Sequence, residues 1–356
     1  MKVLQILPTI DKSFGGPIVV AEQIAIEFKK KNIQVDIFPF NLKVNLITRI
    51  FMLFKLVPKY DLIHIHCIWS LQNTIASIIA RIFKIPYILT PHGMLDKWSL
   101  KQKKIKKYVY FVLVEKFNLK NAKYIHFLNS DEYIESKNLY NFKKYIIIPN
   151  GANIQTKKVN DSNLRPLIDE LIKNKKIILL YLGRLHPKKG LDDLMKSFSL
   201  VIKKNSKFHL IIAGGGEEFY SKKLKELMNG LLIKNNVSFI GPIYGEDKLF
   251  LYEQSDIFIL PSYQEGDSVA IKEAMSYHLP VIITNACHFD EVEFQKAGKI
   301  ISNEISQITD SILFFSEESV RELYGLNGYN LISKKYTWQM VSKEYYKLYN
   351  NLILNE

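Results

Sequence analysis

Residues 257–284, I-F-I-L-P-S-Y-Q-E-G-D-S-V-A-I-K-E-A-M-S-Y-H-L-P-V-I-I-T, fix the class of fold. Residues 257–260 have the length and β-branched content of a buried strand. Pro261 ends that strand, because it brings no N–H for a ladder. From Ser268 onward Val269, Ala270, Glu273, Ala274 and Tyr277 recur at helical spacing, Pro280 stops the helix, and residues 281–283 form the next strand. Strand, glycine-bearing loop, helix and strand make one βαβ unit. Open α/β sheets bind ligands in such loops, at the carboxyl end of a strand and the amino end of a helix, where free N–H groups favour an anion.

The same alternation runs through the chain. Strand patterns fall at 3–7, 34–38, 61–67, 86–90, 124–129 and 145–148, then at 177–182, 208–213, 236–241 and 256–260. A length of 356 residues suits two such domains. The expectation is therefore α/β: two facing doubly wound parallel-sheet (Rossmann-like) domains, residues 1–160 and 161–335, divided in the polar stretch 154–176. An amphipathic helix over 336–356, with Trp338, Val341, Tyr345 and Leu348, closes the chain.

Chemistry-bearing residues collect at strand ends. Glu265 lies in the loop of the opening unit, and Glu273 one and a half turns into its helix. Like charges gain nothing from proximity. Read without a ligand, Glu265 caps the helix and Glu273 faces solvent; read with one, both accept hydrogen bonds from hydroxyls of a single polyol. After the strand at 177–182 comes G-R-L-H-P-K-K-G, whose Arg184 and Lys189 place a guanidinium and an ammonium at a helix N-terminus, the makings of a diphosphate clamp. Gly15 and Gly16 follow the first strand and precede Pro17 at a helix start. They lack the G-x-G-x-x-G pattern of dinucleotide sites. His92 follows a strand in P-H-G-M-L. His64 and His66 alternate on one strand without a third metal ligand nearby, which favours satisfied core histidines over a metal pair. Asn129, with Glu132 three residues on, has the form of a capping box.

The segment P-S-Y-Q-E-G-D-S-V-A-I-K-E-A-M resembles the E-x7-E signature of retaining family-4 glycosyltransferases. P-H-G-M-L and G-R-L-H-P-K-K-G match that family's pattern as well, and the resemblance covers nearly the whole chain. It implies the GT-B arrangement, with the terminal helix crossing back to the first domain. It further implies that Glu265 and His92 face the donor sugar and that Glu273 holds the donor ribose. Arg184 and Lys189 would grip the diphosphate, with Gly15 and Gly16 against the phosphates. Gly266, Asp267, Ser268 and Val269 would line the donor through the loop, although Asp267 stands where the family has an aromatic residue. Cys287 and His288 would lie in a structural loop rather than form a nucleophile or metal site. No D-x-D motif precedes a strand end, which fits a site without metal or cofactor, its substrate a UDP- or GDP-sugar. Nucleotide-sugar 2-epimerases share the fold but need more acid/base groups than are evident.

The net charge of +14 is uneven. Residues 1–155 hold 23 Lys and Arg against 10 Asp and Glu, and the remainder 26 against 25. Such a basic half suits a polyanionic partner. A lysine-rich genome would also raise the charge, but not the difference between halves. A nucleic-acid-binding protein would show an RNA-binding signature, and none appears, so nucleic acid is not expected. Residues 42–57 can form a basic amphipathic helix lying on a membrane or packed on the sheet, and residues 101–107 carry five lysines. No run approaches 18 apolar residues, no signal peptide is evident, and the two cysteines suggest no disulfide framework. These features predict a cytoplasmic protein, peripheral at the inner face of an anionic membrane, that extends a lipid-linked glycan.

Overall fold

A computed structural model describes residues 1–11, 15–40, 43–154, 159 and 161–354. Lys12–Phe14 of the glycine loop, Leu42 of the basic stretch and Asn160 of the expected boundary lie outside the described residues. The chain divides into two compact units, Met1–Gly151 with Trp338–Glu356, and Ala152–Thr337. The sequence pattern set these limits at 160 and 335. The difference has a local cause: the Ala152 amide donates to the Tyr336 carbonyl at 2.8 Å, and Ile154, Val159 and Tyr336 pack on the second core.

The first unit holds β1 (Lys2–Leu7), β2 (Gln34–Pro39), β3 (Leu62–His66), β4 (Tyr87–Thr90), β5 (Tyr124–Phe127) and β6 (Tyr145–Ile147), in the order β2-β1-β3-β4-β5-β6. The second holds β7 (Ile177–Leu182), β8 (Phe208–Ala213), β9 (Val237–Gly241), β10 (Ile257–Leu260), β11 (Val281–Thr284) and β12 (Gly298–Ile301), in the order β12-β11-β10-β7-β8-β9. The ladders are parallel. Every residue of β3, β8, β10 and β11 is buried. Helices cover both faces of such strands, which is why their sequences run apolar without alternation. Each Leu or Ile withdrawn from water contributes roughly 1.5–3 kcal/mol.

Strand order decides where a site can form. From β1 the chain steps outward to β2 and then returns to lay β3 on the other side of β1; β10 returns beside β7 in the same way. The crossovers leave to opposite sides at these two places, opening a crevice at the carboxyl ends of β1/β3 and of β7/β10.

Helices begin where the sequence supplies caps. Asn45, Ser70, Asp96 and Asn129 each accept from the amide three residues on, and such a cap contributes about 1 kcal/mol. The apolar segment after the lysine run is not one continuous α-helix. The helix Lys104–Tyr110 passes through a π turn, Phe111–Glu115, into a helix Lys116–Asn121. Glu115 is buried on that wide turn, where it accepts from the Trp69 amide and from Asn118. The helix Trp338–Leu354 belongs to the first unit, where it buries Val341, Tyr345, Leu348 and Tyr349. The Tyr349 ring lies 5.4 Å from Phe28 on the helix Gly16–Lys29.

Candidate active site

In the second unit the switch brings together loops far apart in sequence. Lys189 follows β7, Glu265 follows β10, and their side chains form an ion pair, 12% and 10% exposed. Ser262 Oγ donates to the same Glu265 oxygen at 2.6 Å, and Lys188 Nζ donates to Gln264 Oε1 at 3.0 Å. Gly190 allows this approach. Its φ is +71°, and a Cβ there would stand 2.0 Å from the Pro261 carbonyl oxygen. Burial opposes charge on Glu265, but Lys189, Lys188 and the hydrogen bonds from Lys189 and Ser262 outweigh it and hold the carboxyl below its usual range. Glu265 is therefore a paired carboxylate and not the helix cap. Ser268 occupies the N-cap of the helix Val269–Ser276, and no side-chain bond caps it.

Arg184 is exposed at the head of the same loop, where the Tyr181 hydroxyl donates to its carbonyl at 2.8 Å. Glu273 does not face open solvent. Lys248 reaches one of its oxygens at 2.7 Å and the Tyr252 hydroxyl donates to the other at 3.1 Å. Asp267 is paired too: Lys272 Nζ lies 2.6 Å from its carboxylate, with the side chains only 2% (Lys272) and 8% (Asp267) exposed. The Lys272 ammonium also lies over the rings of Tyr336 and Phe289. Gly266 sits between Glu265 and Asp267, and Val269 is buried at the first helical position. Cys287 is buried with its Sγ 3.7 Å from Thr284 Oγ1 and from the Leu260 carbonyl. Burial pushes that thiol up to about 12, so it is no nucleophile at neutral pH.

The first unit carries the other residues. Gly15, φ +91°, is the N-cap of the helix Gly16–Lys29, and a Cβ at Gly15 or Gly16 would meet no atom of the described residues within 4 Å. His92 is half-buried after β4 in a left-handed conformation, φ 55°. The Glu132 carboxylate steadies this loop, accepting from the Gly93 amide at 2.6 Å and the Leu128 amide at 2.7 Å. His92 Nε2 lies 2.9 Å from His66 Nδ1, and His66 Nε2 lies 2.9 Å from Gln5 Oε1. His64 bonds Tyr349 at 2.6 Å and Thr90 at 2.7 Å, so both nitrogens of each strand histidine are engaged within the protein. His64 and His66 are satisfied core residues. Among the described residues no group of three or more His, Cys, Asp and Glu could hold a metal ion.

The surface of the first unit is apolar and basic together. On the helix Leu46–Leu56, Leu53 is buried in the core, while Ile47, Phe51 and Phe54 face outward. Arg49 is not on a headgroup-facing stripe: its guanidinium donates to the carbonyls of Phe40 and Val44. Phe54 meets Phe83 edge to face at 5.8 Å, and Arg81 lies 4.2 Å over Phe117, which joins three helices into one surface. Val112, Leu113, Lys116, Phe117 and Lys120 line an open groove on it. Of the lysine run, Lys101, Lys103, Lys104 and Lys106 are exposed, whereas Lys107 turns in to Ser99, with its Nζ 3.0 Å from Ser99 Oγ. Among the described residues no helix is long and apolar enough to cross a membrane.

Spacing alone did not reveal Ser262, Lys248, Tyr252, Gln5 or the contact of His66 with His92. A signal did exist for Gln5, the single polar residue inside V-L-Q-I-L.

Comparison with known proteins agrees with this architecture. Residues 167–328 match the family model of glycosyl transferases group 1, and residues 30–151 match that of the glycosyl transferase 4-like domain. An uncharacterized glycosyltransferase of Methanocaldococcus jannaschii is 30% identical over 61% of this chain and 55% of its own length. The UDP-Gal:alpha-D-GlcNAc-diphosphoundecaprenol alpha-1,3-galactosyltransferase of Escherichia coli is 28% identical over 79% of this chain and 75% of its own. The match thus spans about half of the first relative and three quarters of the second. Among solved structures, Anabaena HepE in complex with UDP-glucose superposes with a TM-score of 0.81 at 17% identity, covering 99% of this chain and 100% of that one. Two six-stranded parallel sheets with flanking helices are the fold named GT-B. The chain belongs to the group 1 glycosyltransferases.

Proposed function

We propose that the protein transfers a sugar from a nucleoside diphosphate donor, UDP or GDP, to a lipid-linked glycan acceptor, with retention of configuration and without a metal ion. The observation that carries this reading is the meeting of Lys189 and Glu265 at the β7/β10 switch, with Arg184 exposed at the head of the same loop. A ligand that replaces this ion pair must bring an anion for the ammonium and hydroxyls for the carboxylate. A sugar diphosphate brings both. The diphosphate joins Lys189 and Arg184, and Glu265 accepts from the sugar hydroxyls. Lys248 and Tyr252 hold Glu273 for the ribose.

In the reaction the bond between the anomeric carbon and the β-phosphate oxygen breaks, and the acceptor oxygen bonds that carbon on the same face. The acceptor's proton passes to the departing phosphate oxygen. The two cations and the uncapped helix at Val269 stabilise the charge that develops there. A lipid-linked acceptor is supported by the basic, apolar surface of the first unit and by the diphosphoundecaprenol acceptor named for the Escherichia coli relative. The same surface supports a peripheral position on the cytoplasmic face of the membrane, in the synthesis of a cell-surface polysaccharide such as an O-antigen, capsule or exopolysaccharide.

The test is incubation with a panel of UDP- and GDP-sugars and undecaprenyl-diphosphate-linked saccharides in EDTA, with the product anomer read by NMR. One donor is expected to yield a product of retained configuration. Inversion, or activity restored only by a divalent ion, would overturn the mechanism; no turnover of any nucleotide sugar would overturn the reading.

A further inference from the structure

Behind His92 lies a chain of hydrogen bonds whose direction the backbone sets. Gln5 is fully buried in β1, and its amide nitrogen donates to the Ala21 carbonyl at 2.8 Å. The amide oxygen is thereby turned toward His66 Nε2, which must carry the proton to donate to it. A neutral His66 then has its lone pair on Nδ1, so the nitrogen 2.9 Å away, His92 Nε2, must be the donor. The last lone pair of the chain falls on His92 Nδ1, which has no protein partner among the described residues.

We propose that Gln5 and His66 are positioning residues that hold His92 neutral in its Nε2-protonated form, so that its Nδ1 is fixed as a hydrogen-bond acceptor for a substrate hydroxyl. This rests on the reading that His92 meets the donor sugar.

The neighbouring histidines are ordered by the same logic. His126 Nε2 donates to the Ile148 carbonyl at 2.8 Å, which leaves its Nδ1 to accept from Thr90 Oγ1 at 2.8 Å. Thr90 Oγ1 in turn accepts from His64 Nε2, and the Tyr349 hydroxyl donates to His64 Nδ1. The rings of His64 and His66 stack with centroids 4.1 Å apart, and His66 and His92 stack at 5.2 Å. A charge on His64 or His66, both fully buried, would face the other ring at 4.1 Å. Burial and the adjacent histidines accordingly hold His64, His66 and His92 well below the usual histidine range. One neutral proton arrangement satisfies every nitrogen along the path from Ala21 to His92. A merely packed histidine pair would need no buried glutamine of fixed orientation.

The test is nitrogen NMR of the full chain labelled with 15N-histidine, with the His92 signal assigned by its loss in His92→Asn. Wild type is expected to show Nε2 protonated and Nδ1 free of protons at pH 7.5. Averaged or Nδ1-protonated His92 in wild type would overturn the proposal. Gln5→Leu removes the acceptor that holds the proton on His66 Nε2, so His66 and His92 are free to exchange tautomers and the His92 nitrogen signals are expected to average between the two. An unchanged His92 in this folded variant would also overturn the proposal. Activity separates the proposal from the reading on which it rests. An averaged His92 in Gln5→Leu with kcat/KM about tenfold lower, equivalent to one lost hydrogen bond, supports both. An averaged His92 with full activity, alongside a fully active His92→Asn, leaves the proton arrangement in place and removes the sugar contact.

Discussion

Lys189 and Glu265 neutralise one another across the β7/β10 switch, 76 residues apart in the chain. The pair is nearly out of water, so removing one member strands the other. Breaking a buried pair costs about 3–5 kcal/mol. Glu265→Ala is expected to lower the melting temperature as well as turnover, and to cut turnover more than Glu273→Ala. Glu265 would meet the reacting sugar, whereas Glu273 would hold a ribose that does not react. Parallel kinetics of the two variants on one donor decide the order, and the reverse order would exchange the roles.

Arg184 provides a cleaner test, because it is exposed and bears little on folding. Charge-assisted bonds to a diphosphate exist on binding and strengthen as it departs. Arg184→Ala is expected to lose about 2–4 kcal/mol of transition-state stabilisation at an unchanged melting temperature. Calorimetric nucleotide affinity and kcat/KM equal to wild type would remove the clamp.

Asp267 and Lys272 make a different prediction. Their pair is buried beside Phe289 and Tyr336, and well-packed apolar residues often replace such a pair without loss. Asp267→Ala alone removes the carboxylate that holds a buried ammonium and is expected to destabilise by about 3–5 kcal/mol. Asp267→Phe combined with Lys272→Leu is expected to recover most of that in thermal melts and to retain activity, since Asp267 would serve the donor through its backbone. If the double variant folds but loses activity, the Asp267 side chain is itself needed by the donor.

Residues that carry charge or conformational restriction in short motifs could be read from the sequence: Gly190, Lys189, Glu265, and the β-branched runs that became β7 and β10. Pairings set by strand order could not. Nothing near Glu265 announces Lys189 as its partner, because their adjacency comes from β10 returning beside β7. The inward turn of Lys107 likewise depends on where Ser99 falls after the cap at Asp96. Gln5 left a trace as a polar residue in an apolar strand, but its meaning depends on His66 and Ala21, which only the fold brings near.

The buried histidines make the first unit sensitive to acid. Burial is the main cause that lowers His64, His66, His92 and His126, the last to about 4, while the unfolded chain titrates near 6.5. Below pH 6.5 the unfolded state binds more protons, so stability is complete above that value and falls as pH drops through it. Glu115 acts in the opposite sense, since burial raises it to about 7 and it contributes in acid, but it is one group against four. Each histidine accounts for roughly 1.4 kcal/mol per pH unit below 6.5. Thermal melts are expected to fall clearly between pH 7.5 and 5.5. Equal melting temperatures at the two values would mean that these rings are protonated in the fold.

Membrane attachment should depend on charge and apolar surface together. Lys101, Lys103, Lys104 and Lys106 are exposed next to Ile105, Val109 and Leu113, and Phe51 and Phe54 project from the helix Leu46–Leu56. Cations near an anionic surface contribute roughly 1 kcal/mol each, so four support an affinity about a thousandfold above a neutral surface. Exposed charges are screened over about 8–10 Å at ordinary ionic strength, so binding to anionic vesicles should fall steeply with added salt. Replacing the four lysines by Gln is expected to release the protein from vesicles of phosphatidylglycerol while leaving donor hydrolysis unchanged. Lys107 stays in this variant, because its ammonium ties the loop to Ser99 and its loss would confuse folding with binding. Phe51→Asp with Leu113→Asp should weaken the salt-resistant remainder. Wild type that fails to sediment with these vesicles at low salt would end the membrane reading, whatever the outcome of the donor assays.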